Sequence, residues 1–249
     1  MALIRQMKEA YGKKLLVGGH RGHKCEIREN TISNFEALPM GKIPYIEIDV
    51  QLTRDRKAVI YHDHDLSMKT DLTGMVRDYS LEELRDSFEI CTIYEAVEWC
   101  KVHDLGIAFE LKLQPLSMWE DRSIVIDEVV KAIQTHEFYD DCFVFGKDYE
   151  MLSAIKNQDP KINIGLIVPF VPKDPVALMQ EMQAFLYLNF VDQLSKELVD
   201  RLHAAGYIVD GSVVNTENDL KKAIDLGVDL IESDEPELIT RLLEEWYAG

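Results

Sequence analysis

The sequence predicts an α/β fold, a (β/α)8 TIM barrel with a small insertion after strand two, and three observations carry this. Short apolar, β-branched runs alternate with longer segments of helical period. Eight such strand-helix pairs follow one another. The 249 residues are the length of one barrel of this kind.

The first strand, LLVGG (15–19), stops at two glycines, and TISNFEAL after it opens with Thr31, a helix-capping residue type. YIEIDVQL (45–52) is the second strand. A further extended run, KAVIYH, follows it, and then a stretch too long for a plain loop, DHDLSMKTDLTGMVRDYSLEELRDSFEIC. Within that stretch Ser80 and Glu83 have capping-box spacing, so a small cap is predicted at about residues 63–91, over the barrel mouth. TIYEAVEWCKVHD returns to helical period and leads to the third strand, GIAFELKL (106–113).

The remaining strands are CFVFG (142–146), INIGLIV (162–168), FLYLNF (185–190), YIVDGSVV (207–214) and DLIES (229–233). Between and after them run the helical segments SIVIDEVVKAIQTHE, DYEMLSAIKNQ, DPVALMQEMQ, SKELVDRLHAAG, TENDLKKAIDLG and PELITRLLEEW. Several begin at Thr, Ser or Asp, and two stop at Gly206 and Gly227. No Gly-, Ser- or Pro-rich linker and no second core interrupt the pattern, so residues 1–249 are expected to form a single domain.

Composition narrows the partners. With 27 Lys and Arg against 45 Asp and Glu the formal charge is -18, a field that repels polyanions, so nucleic acid is not an expected partner. An anionic small molecule can bind only where Arg, Lys or a metal ion supplies positive charge locally. Cys25, Cys91, Cys100 and Cys142 are scattered with no paired spacing and read as reduced thiols. The N-terminus lacks an apolar secretory core, and no apolar stretch is long enough to span a bilayer. A cytoplasmic protein without stable membrane insertion is expected; the oligomeric state is left open.

In barrels of this type the chemistry sits at the C-terminal ends of the strands. Strand one ends in His20 and Arg21. Strand two carries Glu47 and Asp49, and strand three Glu110 and Lys112; a spacing of two places each pair on one face. The extra run ends in His62. Three converging carboxylates need protons or a cation. Oxygen-only ligation by Glu47, Asp49 and Glu110 suits Mg²⁺ or Ca²⁺ better than zinc. Arg21 and Lys112 can bind an anion beside it, and His20 and His62 can act as acid and base at phosphorus.

HRG with ENT (29–31), then IEIDVQLT, VIYHD, TDLTGMVRDYSLEEL, FELK and LGVDLIESDEP, in that order from Leu16 to Pro236, resembles the glycerophosphodiester phosphodiesterase family. The resemblance implies cleavage of a glycerophosphodiester into sn-glycerol 3-phosphate and an alcohol. It implies catalysis by His20 and His62, a divalent metal, Mg²⁺ or Ca²⁺, on Glu47, Asp49 and Glu110, and phosphate binding by Arg21 and Lys112. The alternatives are lysophospholipase D-type action on lysophospholipids, or a catalytically silent phosphate- or metal-binding barrel.

Four positions depart from that pattern: Arg28 stands for proline, Ser212 for an aromatic residue, Glu232 for an apolar one, and Gly146-Lys147 for Ser-Phe. They are expected on the distal side of the mouth, making the leaving-group pocket more polar; the alcohol itself is not predicted. His23, His64, His103, His136 and His203 read as structural or solvated. The HDHD run (62–65) also fits an amidohydrolase metal motif, but no histidine follows strands five and six. Asp234, two residues before Pro236, is expected to cap the last helix rather than pair with Glu232. TENDLKKAIDLG reads as an exposed amphipathic helix and LMQEMQ as packing.

Overall fold

The computed structural model describes residues 2–39, 41–112 and 119–248. Among these, eight parallel strands form the barrel: β1 (Leu16–Gly19), β2 (Tyr45–Leu52), β4 (Gly106–Leu111), β5 (Cys142–Gly146), β6 (Ile164–Ile167), β7 (Leu186–Leu188), β8 (Ile208–Asp210) and β9 (Leu230–Ser233). β1 pairs with β9 through Leu16 and Leu230 and with β2 through Gly19 and Ile46, which closes the sheet. The extended run after strand two is β3 (Ala58–Ile60), antiparallel on β2. Residue 113, the predicted end of the third barrel strand, lies outside the described residues.

β8 is shorter than predicted because Ser212 takes over the ladder with its side chain: Oγ donates to Asp210 and accepts from the Glu232 amide at 2.7 Å. The helices begin where the sequence signals them. Thr31 caps α2 (Ile32–Phe35), Thr92 and Glu95 form a capping box at α4 (Ile93–Val102), and Asp174 caps α7 (Pro175–Glu181) with Pro175 in the first turn. α8 (Lys196–Ala204) is capped by Ser195, and α9 (Glu217–Leu226) ends at Gly227 with φ 76°. α5 (Trp119–His136), α6 (Tyr149–Gln158) and α10 (Pro236–Ala248) complete the ring. In the insertion, Ser80 and Glu83 form the predicted capping box of α3 (Leu81–Ser87), over a small apolar cluster of Val59, Tyr61, Leu66, Val76, Leu84 and Ile90.

One helix has no counterpart in the sequence reading. α1 (Leu3–Ala10) lies across the N-terminal end of the barrel, where Leu3, Ile4 and Met7 pack on Tyr45, Phe143, Leu186, Ile208 and Leu230. The Leu3 amide donates to Asp141 Oδ1 and the Ile4 amide to the Asp140 carbonyl, just before β5. With this end sealed by apolar side chains, the inward residues above them, Glu47, Asp49, Glu110, Asp210 and Glu232, stand toward the other end. Among the described residues no helix is long and apolar enough to cross a membrane.

Gly18 allows this layering. A Cβ there would lie 2.3 Å from the ring of Tyr45, which is fully buried and packs edge-on against Phe143. Gly18→Ala is expected to destabilise the fold by roughly 1–3 kcal/mol, the usual penalty for overpacking. A urea titration checks this, showing a lower midpoint with an unchanged slope.

Candidate active site

The loop after β1 is built around three left-handed residues. Arg21 has φ 56°, Gly22 φ 99° and Asn30 φ 57°. At Gly22 a side chain is excluded, because a Cβ would sit 2.1 Å from Asn34 Oδ1. That same Asn34 accepts from the His23 amide and donates to the carbonyls of His23 and Ile27, so one buried amide side chain folds the loop back on itself.

The tight turn sets His20 and Arg21 over the carboxylates. His20 Nδ1 lies 2.6 Å from Asp234 Oδ1, and its Nε2 is 4.0 Å from Glu47 Oε2. The Arg21 amide donates to Glu47 Oε2 at 3.0 Å. Its guanidinium reaches Glu29 Oε1 at 3.1 Å through Nη1 and approaches Asp49 Oδ2 at 3.4 Å through Nε. The three residues of ENT act separately. Glu29 holds Arg21, Asn30 donates to Asp49 Oδ2 at 2.8 Å, and Thr31 caps α2.

β2 and β4 are in register with Asp49 opposite Glu110. Oxygens of Glu47, Asp49 and Glu110 lie within 4.8 Å of one another. Lys112 Nζ is 3.1 Å from Asp49 Oδ1 and 3.6 Å from Glu110 Oε1. After β3, His62 Nδ1 lies 2.8 Å from Asp63 Oδ1, and Gln51 Nε2 ties down the carbonyls of Tyr61, His62 and Asp63. The sequence-predicted residues therefore converge on one end of the barrel.

Burial and charge act on these groups in opposite senses. Burial, then the charges of Asp49 and Glu232, push the Glu47 carboxyl well above the usual range. Burial also works against ionised Asp49, but Lys112 and Arg21 outweigh it and hold this carboxyl low. His62 is depressed, chiefly by burial. Burial would raise Asp234, yet its hydrogen bond with His20 keeps it below the ordinary value. Asp210 rises to about 7 through burial, offset in part by Ser212.

A divalent cation fits this donor set. All three groups offer hard oxygen ligands, Glu47 Oε1 is buried without a hydrogen-bond partner among the described residues, and Asp49 Oδ1 faces the Lys112 ammonium without hydrogen-bond geometry.

Two expectations change. Asp234 does not cap α10: its carboxylate lies between His20 and Asn215, whose Nδ2 donates to Oδ2 at 2.7 Å. The sequence signal, Asp shortly before Pro, is genuine for caps, but β9 sits beside β1 and offers the side chain a histidine instead. Ser212 and Glu232 are not on a distal rim; both are about 3% exposed, inside the barrel. Gly146 has its own explanation, since a Cβ there would lie 2.9 Å from the Leu111 carbonyl oxygen, and Arg28 stacks its guanidinium 4.7 Å from the Phe88 ring of the cap. Asn30, Gln51, Asp63, Asn215 and Asp234 complete the site as positioning groups, a role the sequence reading assigned to none of them.

Comparison with known proteins gives the family. The chain is 28% identical over 245 residues to a glycerophosphodiester phosphodiesterase of Caldanaerobacter subterraneus subsp. tengcongensis, covering 93% of this chain and 99% of the relative. It is 27% identical over 237 residues to one from Bacillus altitudinis, covering 91% and 97%. A phosphodiesterase of Oleispira antarctica, solved in complex with the product sn-glycerol-3-phosphate, superimposes with TM-score 0.84 at 26% identity over 94% of this chain and 99% of that one. The profile of the glycerophosphoryl diester phosphodiesterase family matches residues 20–238, and the chain is a barrel enzyme belonging to that family.

Proposed function

We propose that this chain hydrolyses glycerophosphodiesters to sn-glycerol 3-phosphate and an alcohol at a divalent-cation site, with His20 and His62 as acid and base. The observation that carries the reading is the clustering of Glu47, Asp49 and Glu110 oxygens within 4.8 Å, flanked by Arg21, Lys112 and two histidines each braced at Nδ1 by a carboxylate. The relatives' names and the product complex of the Oleispira protein support the substrate class.

Glu47, Asp49 and Glu110 would hold the cation, Mg²⁺ or Ca²⁺, which when bound offsets their charge and that of the phosphate. Arg21 and Lys112 receive phosphate oxygens beside it; the Arg fork suits two of them, and Glu29 keeps it aimed. Asp63 and Asp234 turn the Nδ1 atoms of His62 and His20 outward, leaving Nε2 of each for the substrate. Burial favours neutral His62, the form that accepts a proton, and His20, held at Nδ1 by Asp234, is the group set to hand a proton to the departing alkoxide. The glycerol 2-hydroxyl is the proposed attacking group: its proton goes to His62, the P–O bond to the alcohol breaks, and water then opens the cyclic phosphate. Its effective molarity favours this route over direct attack by water.

A second reading has its own support. Loops at the catalytic end expose Ile27, Met68, Phe170, Val171 and Phe190, with Phe170 86% exposed. An apolar lip of this kind suits the acyl chain of a lysophospholipid beside the same phosphodiester chemistry.

Release of glycerol 3-phosphate from glycerophosphocholine and glycerophosphoethanolamine tests the principal reading. Product is expected with Mg²⁺ or Ca²⁺ and none in EDTA, and His20→Ala or His62→Ala is expected to lower kcat by at least about 10²-fold. Undiminished turnover in either variant would remove that histidine from the mechanism. The acid limb of kcat/KM is expected below pH 6.5, because burial lowers the His62 pKa and His62→Ala abolishes the base; a bound cation pushes in the same direction. For the lip, Phe170→Ser with Phe190→Ser should reduce kcat/KM on lysophosphatidylcholine while sparing glycerophosphocholine. Equal effects on both substrates would refute a role in acyl binding.

A further inference from the structure

The barrel interior holds two carboxylates that the proposed chemistry does not use. The β8–β9 register sets Asp210 opposite Leu230, so Asp210 and Glu232 both face inward above the apolar floor. Asp210 is fully buried and Glu232 is 3% exposed. Asp210 Oδ2 and Glu232 Oε1 have no hydrogen-bond partner among the described residues. Ser212, with its hydroxyl on Asp210 and on the Glu232 amide, fixes where Glu232 starts.

Glu232 also acts on Glu47 across β1. Across the β9–β1 ladder its partner is Gly18, which has no side chain, and Gly19 next to it pairs with Ile46, the neighbour of Glu47. No side chain from β1 therefore separates Glu232 from Glu47, whose Oε1 is likewise buried and unpartnered. The Tyr45 ring occupies the space over Gly18, and Asp210, Glu232 and Glu47 all act on its phenol.

An unpaired buried carboxylate is costly, and the nearby cations are already engaged, Arg21 by Glu29 and Asp49, Lys112 by Asp49 and Glu110. Arg21 acts on Glu232 only from a distance, and a divalent ion among Glu47, Asp49 and Glu110 would add positive charge beside it.

We propose that Glu232 is a fourth carboxylate of the cation site, acting on the ion from behind Glu47, with Asp210 and Ser212 positioning it. It lies outside the group of three whose oxygens lie within 4.8 Å of one another, so its action runs through its charge or through water held between it and the ion. Loss of a group outside the direct ligands of a metal typically costs about 10–100-fold in affinity, which sets the scale for Glu232. This inference rests on the cation reading above.

Calorimetric titration of the full chain with CaCl₂ and MgCl₂, together with melting temperatures in EDTA and in calcium, tests it. Glu232→Gln keeps the shape and Glu232→Ile removes the polar group; Glu47→Gln serves as control. Both Glu232 variants are expected to bind the ion about tenfold or more weakly. In EDTA they should melt no lower than the wild type, since an unpaired buried charge has gone, and calcium should raise their melting temperature less. A wild type that binds neither ion, or a Glu47→Gln that binds normally, overturns the cation reading and this inference with it. Wild-type affinity in Glu232→Gln while Glu47→Gln has lost binding overturns this inference alone. So does a Glu232→Gln that melts lower in EDTA at unchanged affinity, since that outcome makes Glu232 a structural residue.

Discussion

Asp49 is the group on which the mouth of the barrel depends. Its side chain is fully buried, yet Lys112 and Arg21 keep it ionised and Asn30 donates to it. These partners come from two segments: Lys112 follows β4, and Arg21 and Asn30 stand near the two ends of the loop after β1. One charge thus draws three connections to a common point. Without it, Arg21 and Lys112 would lose their shared anchor and would face Glu29 and Glu110 separately.

The same economy explains HRG. Gly18 and Gly19 bring β1 close to its neighbours, with Tyr45 filling the space a side chain would take at Gly18. The chain then turns through left-handed Arg21 and Gly22, which leaves the Arg21 amide free to bond Glu47 while its guanidinium extends toward Asp49. A non-glycine residue at 22 would collide with Asn34, the brace of the loop. Backbone shape and ion pairing therefore arise from the same three residues.

Much of this was legible in the sequence because it depends on local periods. A spacing of two on a strand assigns Glu47 with Asp49, and Glu110 with Lys112, to one face whatever the rest of the chain does. Capping residues likewise announced α2, α4, α7 and the cap helix. What could not be read depends on neighbours distant in sequence. Asp234 looks like a helix cap from its own surroundings, and only the adjacency of β9 and β1 gives it His20, 214 residues away. Asn30 and Gln51 work through backbone turns that no periodicity reports. α1 carries its apolar face at residues 3, 4 and 7, too few to signal a helix until the open end of a barrel is there to receive them.

Charge links the whole molecule to its chemistry. A protein of net charge -18 should repel a phosphodiester. The inward layer would make matters worse, with Glu47, Asp49, Glu110, Asp210 and Glu232 set against Arg21 and Lys112. Such an interior can receive an anion only after gaining positive charge, as a cation on the carboxylates or as protons on the most buried of them, and burial raises Glu47, Asp210 and Glu232 in the direction of protons. Either gain leaves Arg21 and Lys112 less fully neutralised by their carboxylate partners and so more available to phosphate. The excess of acid inside the barrel is thus a reason to expect anion binding to be conditional on that gain of positive charge, whether it comes as a cation or as protons.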